Sequence, residues 1–426
     1  MLKILAAADI HMGRRSTHAT DDIAPARLAW NKLVETTLDG QYDMLLLTGD
    51  LVDWDNHFFE AIGPLQTGLQ QLDNAGIQVC LIAGNHDFKV LQQITTKATF
   101  QHVHFLGAGG NWETKQLQRN GANIAVTGWS FPARHHPVDP LASLPKPAQI
   151  ADIHIGMVHG DLDLPKSQYA PLSRNLLEAS GQDLWLLGHI HKPAHHILGN
   201  THVFYPGSLQ ALSPKETGQH GALHIELNHT GHIQTYRWIP LSPIRYETHS
   251  IDATSVIDQD NLRKFTIDQL TTFHDSIKME HPELEQLVVD IDVQMEKERH
   301  QTFQSILTDN DLSQDIYFSD TRMTIRQLVC TGVITNPDLV ALMNEPSPAG
   351  RLAALIDALE KDTDNPLKDQ VLNALEAEFR NPPANIFSKA LDERDRQGKP
   401  IQDDKKTIII EMARKLLVNM LETRQN

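Results

Sequence analysis

The stretch IQVCLIAGNHD, residues 77–87, sets a short apolar run directly before a Gly, an Asn, a His and an Asp. A continuous run of this kind suits a strand covered on both faces. The residues behind it either make a turn, for which Gly and Asn are common choices, or hold something at the strand's carboxyl end. Recurrence decides between the two. The same pattern of apolar run, polar cluster and more helical stretch is found with LKILAAA (2–8), DMLLLT (43–48), ANIAVTGW (122–129), IHIGMV (153–158) and LWLLG (184–188). Between the early runs, residues 24–40 and 61–76 have helical spacing. That order predicts a layered α/β core, with sheets flanked by helices.

Prolines interrupt the chain in WIPLSPIRYETHSI (238–251), and the pattern then changes. RYETHSI (245–251) and QLVVDIDVQM (286–295) read as strands flanking a helix over 259–279, a small α+β unit. From about residue 340 the pattern is helical, in AGRLAALIDALEKD (349–362), KDQVLNALEAEF (368–379) and KKTIIIEMARKLLVNMLETR (405–424), with breaks at NPPAN (381–385) and GKP (398–400). The expected domains are therefore 1–240, a capping domain at 241–340 and a helical C-terminal region at 341–426.

With 426 residues, 40% of them hydrophobic, the chain can bury a sizeable core and exceeds one ordinary domain. No apolar run reaches the roughly 18 residues of a membrane span, and the opening MLKILAAADIHMG is too short in apolar residues for a signal peptide. Only Cys80 and Cys330 are present, so a disulfide framework is excluded and a cytoplasmic location is expected. Cys80 reads as a core thiol. The formal charge of −17 argues against simple electrostatic adhesion to nucleic acid. Bound divalent cations or a basic partner would reverse the sign locally.

The polar clusters behind the runs are rich in metal-ligand types: ADIHMG with Asp9 and His11, TGDLVD with Asp50, AGNHD with Asn85, His86 and Asp87, VHGD with His159, and LGHIHKP with His189 and His191. Each alone is a common turn or strand end. Their succession, each behind an apolar run, points to one site. Two divalent ions can clamp the attacking and leaving oxygens of a phosphoryl displacement, and mixed carboxylate and imidazole ligands suit Mn²⁺, Fe²⁺ or Zn²⁺. Asp50, arriving between the two sets, has two oxygens with which to bridge both ions. His135, His136, His195 and His196 stand outside the clusters and are expected to be solvated.

On these five blocks the chain resembles the calcineurin-like metallophosphoesterases over about residues 1–240. More narrowly, ADIHMGRR (8–15), YPGSLQALSPKETGQHG (205–221) and the capping unit with its helical tail resemble the SbcD- and YhaO-type DNA repair exonucleases of the double-strand-break repair nuclease family. The resemblance implies that Asp9, His11, Asp50 and His191 hold one ion, and Asp50, Asn85, His159 and His189 the other. Mn²⁺ is the expected metal. His86 corresponds to the family's catalytic histidine. Asp87 is placed either to orient it or to cap the following helix. Arg14 and Arg15 are candidates for substrate phosphate contact, or plain surface residues. In some relatives a His follows the bridging Asp by three positions; here Asp53 stands there.

The implied function is a metal-dependent DNA nuclease, the nuclease subunit of a repair complex with a coiled-coil ATPase of the SbcC/YhaN kind, with DNA as substrate, a homodimer as an option and no membrane. A small-molecule phosphodiesterase or phosphatase and a non-catalytic scaffold are the alternatives. The apolar stripe Ile409, Met412, Ala413, Leu416, Leu417 and Met420 either docks the ATPase or packs on its own domain.

Overall fold

The computed structural model describes residues 1–54, 61–97, 100–147, 151–256, 258–296, 315–318, 320–333, 336–368, 370–371, 409–410, 412–414, 416–417 and 420–421. Most of the helix read at 368–379, and both breaks at 381–385 and 398–400, lie outside these residues. The chain divides into two compact units. The first is Met1–His249, Leu270–Asp290 and Leu312–Gln327; the second is Ser250–Gln269, Ile291–Asp311 and Leu328–Asn426.

The strands of the first part, in chain order, begin with β1 (Leu2–Ala7), β2 (Met44–Thr48), β3 (Gln78–Ile82), β4 (Val103–Phe105), β5 (Trp112–Arg119), β6 (Ala122–Trp129) and β7 (Ile153–His159). They continue as β8 (Asp161–Leu162), β9 (Pro171–Leu172), β10 (Leu184–Gly188), β11 (Ala194–Leu198), β12 (Thr201–Tyr205), β13 (Gly221–Leu227) and β14 (Ile233–Pro240). The helices among them are α1 (Arg27–Asp39), α2 (Ile62–Asn74), α3 (Val90–Lys97) and α4 (Arg174–Glu178). One six-stranded sheet has the order β14-β13-β1-β2-β3-β4, the other β11-β12-β10-β7-β6-β5. Within the first, β1, β2 and β3 are parallel; within the second, β6, β7 and β10 are. Each sheet therefore brings several carboxyl ends to one edge.

Alternation along these strands builds the layers. Leu5, Ala7, Leu45, Leu47, Val79 and Leu81 face α1 and α2 and pack with Trp30, Leu33, Leu65 and Leu69. Their neighbours Ile4, Ala6, Met44, Leu46, Cys80 and Ile82 face Ile124, Val126, Ile155, Met157, Leu184 and Leu186 of the other sheet. The opposite face of that sheet carries Trp129, Val158, Trp185 and Leu187 under Leu177 of α4. Both faces of the central strands are thus apolar, which is why they read as unbroken runs. Each large side chain so buried contributes about 1.5–3 kcal/mol. All six runs read as strands are strands, within one residue at each end. Cys80 is fully buried between the sheets, where burial pushes its thiol up to about 12.

Three of the four outlying histidines are half-buried rather than solvated. His136 tilts against Trp129 at 4.9 Å, and His195 stacks on Phe204 at 4.1 Å. His196 lies in β11 beside it, and His135 alone is exposed. An imidazole is apolar enough on its faces to cover an aromatic neighbour.

Beyond β14 come β15 (Ile244–Asp252), α5 (Gln259–Glu280), β16 (Gln286–Glu296), β17 (Ile316–Phe318) and β18 (Thr321–Val333), the strands forming a sheet in the order β15-β16-β18-β17. In the second unit, α6 (Asn336–Met343) and α7 (Pro348–Lys361) pack with the described helical residues of 409–421. Ser347 caps α7 by accepting the Gly350 N–H at 3.0 Å, with Pro348 in the first turn. The C-terminal apolar stripe is divided by this packing. Ala413 and Leu417 are buried with Leu339, Ala353 and Ile356, whereas Met412 and Leu416 are 55% and 53% exposed. Among the described residues no helix is long and apolar enough to cross a membrane.

One buried histidine makes the fold sensitive to acid. His281 is pushed down to about 4 by burial, then by Arg245 and Lys278, and its Nδ1 has no hydrogen-bond partner. The unfolded imidazole takes a proton near its ordinary 6.5. Between those values the unfolded chain binds more protons, so stability is full above about pH 6.5 and falls as the pH drops toward 4, by roughly 2–3 kcal/mol for this group. In denaturant titrations across that window, His281→Asn is expected to show a shallower acid limb than the parent; an unchanged slope would exclude His281 as the sensitive group.

Candidate dinuclear metal centre

The loops that leave β1, β2, β3, β7 and β10 carry the ligand-type residues, and backbone hydrogen bonds tie those loops together. Asp9 N–H donates to Gly49 O at 3.1 Å, His11 N–H to Asp50 O at 2.9 Å, and Gly160 N–H to Gly188 O at 3.1 Å. The chain turns sharply there. Asp9, His11 and Asp50 have φ of 49°, 49° and 52°, and His189 has 94°, all in the left-handed region that non-glycine residues avoid. Four such residues at one edge mark stored strain, each at a cost of about 1–3 kcal/mol, sustained by the surrounding hydrogen bonds.

The side chains converge in adjacent groups. Asp9, His11 and His191 offer atoms within 4.8 Å of one another, and so do Asp50, His159 and His189. Asn85 joins the second group, its Oδ1 3.1 Å from His159 Nε2, which also lies 3.3 Å from Asp50 Oδ2. All but His189 and His191 are buried. Asp50 Oδ1 accepts the His86 N–H at 2.9 Å, and both Asp9 oxygens lie 3.1 Å from the His189 backbone nitrogen.

The geometry fits divalent cations. His11 Nδ1 faces Asp53 Oδ1 at 3.1 Å, His159 Nδ1 faces Thr48 O at 2.9 Å, and His191 Nδ1 faces Glu216 Oε1 at 3.0 Å. An oxygen at Nδ1 fixes the proton there and leaves Nε2 as a lone-pair donor, the usual arrangement for a ligating imidazole. The His11 and His191 Nε2 atoms then stand 3.1 Å apart, a spacing that a shared cation would relieve. His189 is turned the other way, with Nε2 3.5 Å from Asp161 Oδ1.

Asp53, Asp161 and Glu216 are the acidic residues that sequence reading did not assign to the site. Asp161 ends VHGD and Glu216 lies within the 205–221 stretch, so both stood in quoted motifs without a role. Asp53 serves two histidines, with Oδ1 3.1 Å from His11 Nδ1 and 3.2 Å from His86 Nδ1. The orientation considered for Asp87 is therefore made by Asp53. The buried Asp87 carboxylate instead accepts backbone N–H groups of Leu51 at 2.6 Å and Gly84 at 2.8 Å, bracing the loops after β2 and β3. Its side chain does not cap α3; only its carbonyl does, accepting from Val90 and Leu91. Arg14 reaches to 4.0 Å from Asp53 Oδ1, with its side chain 47% exposed. Arg15 is engaged with Asp21, at 2.9 Å.

Burial alone would pull the His159 imidazole down, but the Asp50 carboxylate outweighs it and holds it up at about 9. Asp50 is correspondingly held far below the carboxylate range by His159, against its own burial. Burial likewise disfavours a charged His191, and the hydrogen bond to Glu216 outweighs it, holding that imidazole above its ordinary value. A ligating imidazole must be neutral, so cation uptake has to displace these protons. Calorimetric titration with Mn²⁺ at pH 7.5 in buffers of different ionisation enthalpy is expected to show release of about one proton or more, with affinity rising toward pH 9. Binding heats independent of the buffer would contradict it.

A two-sheet α/β sandwich with paired carboxylate and imidazole clusters at the strand ends is consistent with a metallophosphoesterase fold. Residues 2–193 match the family model described as calcineurin-like phosphoesterase. The chain is 32% identical over 227 residues to an uncharacterized metallophosphoesterase, YhaO, of Bacillus subtilis (strain 168), covering 52% of this chain and 54% of that one. It is 18% identical over 234 residues to the DNA double-strand break repair protein Mre11 of Methanopyrus kandleri (strain AV19), covering 52% of each. The chain thus spans about half the length of the curated relatives it matches. A crystal structure of a Thermus thermophilus protein, TT1561, aligns over 49% of this chain and 89% of its own, at 14% identity and a TM-score of 0.32.

Proposed function

We propose that this chain is a metal-dependent nuclease that hydrolyses DNA phosphodiester bonds at a two-ion site, working as the nuclease subunit of a repair complex with a coiled-coil ATPase of the SbcC/YhaN kind. The observation that carries the reading is the pair of adjacent ligand clusters with His86 beside them. The likeness to a double-strand break repair protein supports DNA as the substrate.

In this reading Asp9, His11 and His191 would hold one ion, Asn85, His159 and His189 the other, and Asp50 would serve both. Two bound divalent ions, Mn²⁺ foremost, would supply neutralisation of the phosphate charge and activation of water. His86 supplies the proton. Burial opposes its charge, but the hydrogen bond to Asp53 and the carboxylates of Asp50, Asp53 and Asp87 raise its pKa above the ordinary value. With Nδ1 held by Asp53, Nε2 is the atom left to donate to the departing oxygen. Arg14, half-exposed at the rim, adds positive charge for the phosphate. Residues 1–240 carry the activity, 241–340 cap it and 341–426 receive the partner, for which the exposed Met412 and Leu416 are the apolar contacts.

The test is cleavage of end-labelled linear duplex and single-stranded DNA by the purified chain in Mn²⁺, with His86→Ala and a small phosphodiester in parallel. Release of label that is lost in the variant is the expected result. Turnover of the small ester with the DNA left intact would favour a small-molecule phosphodiesterase.

A further inference from the structure

Beside the ligand clusters lies a stack that the chemistry above does not use. The rings of Trp54 and Phe88 lie one over the other, with centroids 5.8 Å and planes 18° apart. The Arg134 guanidinium stands 5.0 Å over the Trp54 ring, and the Lys89 ammonium 5.5 Å over Phe88. The stack abuts the proton donor, since the Trp54 backbone nitrogen is 3.4 Å from His86 Nδ1 and Phe88 follows His86 by two positions.

Its two halves differ. Phe88 is packed against apolar residues of both sheets, which makes it a fixed floor. Trp54 is half-buried, and the group over its ring is a long, exposed Arg134 side chain. A guanidinium at an exposed site is held over an indole only weakly and can be displaced by a better stacking partner. At the second cluster, Tyr169 lies 5.0 Å from His189, and His135 lies 5.5 Å from Tyr169. Residues 134 and 135 therefore reach two aromatic rings, Trp54 beside His86 and Tyr169 beside His189. Arg14 beside Asp53, Lys89 over Phe88 and Arg134 over Trp54 supply cations. Aromatic faces interleaved with cations along a phosphate site are what a single strand needs, because every base has a face to stack and every linkage a charge to meet.

We infer that the Trp54 ring is a stacking platform for the unpaired nucleobase next to the scissile phosphodiester, with Arg134 moving from the ring to the flanking phosphate when the base enters. The substrate class is then a single-stranded or frayed end. The inference rests on the phosphodiesterase reading of the same site and adds the group that recognises the base.

The experiment compares hydrolysis, in Mn²⁺, of the p-nitrophenyl phosphodiester of thymidine 5′-phosphate with that of the corresponding abasic deoxyribose 5-phosphate. The ratio of the two kcat/KM values isolates the base. Parent chain is expected to prefer the thymidine ester by about 5- to 150-fold, the range of base stacking on an aromatic residue. Trp54→Leu, which keeps apolar volume and removes the ring, is expected to bring the ratio near one, and Trp54→Phe to restore most of it. Anisotropy of labelled oligothymidylate against an abasic oligomer, with Ca²⁺ in place of Mn²⁺, reads the same dependence without turnover. Hydrolysis of both esters with no base preference, or a preference that survives in Trp54→Leu, would overturn the platform and leave the phosphodiesterase standing. Hydrolysis of neither ester would remove both.

Discussion

His86→Ala is expected to lower phosphodiester hydrolysis by about 10²–10⁴-fold, the span of a positioned proton donor, while the bound-ion content stays near that of the parent chain. The two outcomes separate because the clusters Asp9, His11, His191 and Asp50, His159, His189 close without the His86 side chain, which shares Asp53 with His11. Asp53→Asn extends the argument. A general acid works while protonated, so activity is lost as the pH rises through its pKa. The Asp53 hydrogen bond raises that pKa against the pull of burial. Asp53→Asn is therefore expected to move the alkaline limb of kcat to lower pH, with a loss of about 10–100-fold in ion affinity because His11 loses the same anchor. An alkaline limb that stays in place would show that His86 is not the titrating acid.

Gly84→Ala is expected to have an effect of similar size without altering one polar atom. A Cβ at position 84 would stand 2.1 Å from Asp50 Oδ1 and 2.8 Å from the Asp50 backbone nitrogen. The Asp50 carboxylate would have to leave the place where it meets His159 and the His86 N–H. Overpacking of this kind costs about 1–3 kcal/mol of stability, and a displaced ligand should empty the second cluster. Metal analysis after Mn²⁺ loading is expected to find about one ion fewer per chain than in the parent. Full metal content in a stable Gly84→Ala chain would mean that Asp50 is not a ligand. Gly188 in the other sheet is under the same constraint, since a Cβ there would stand 2.0 Å from Thr48 O and 2.5 Å from His159 Nδ1.

Much of this could be read from the chain. The central strands are apolar on both faces, so β1, β2, β3, β6, β7 and β10 stand out as runs, and the residues after most of them are chemically unlike a strand. The edge strands do not stand out. WETKQLQR, which is β5, and IQTYRWIP, which is β14, each pair with one neighbour and leave a face in water, so neither has an apolar run to find. The ligand types were legible for the same reason as the central strands. The residues that orient them were not, because Asp53, Asp161 and Glu216 acquire their roles only from what the fold brings opposite them. Asp87 shows the converse: adjacent to His86 in sequence, its carboxylate turns to the backbone of another loop.

The wide spacing of the ligands along the chain has a consequence for how the protein is made. His11 and His191 meet across 180 positions, and His159 meets Asn85 across 74. Closing such spans is slow, since the entropy of a long loop is lost before its contact is gained. A chain emerging in order would assemble the triad of His11, Asp53 and His86 first, from β1, β2 and β3 alone. Neither of the other two clusters can exist until residues 159–191 have been added and the second sheet has closed over the first. Cation capture would then be among the last events of this domain's maturation, and the newborn chain would stay without a complete ion site until its fold had closed.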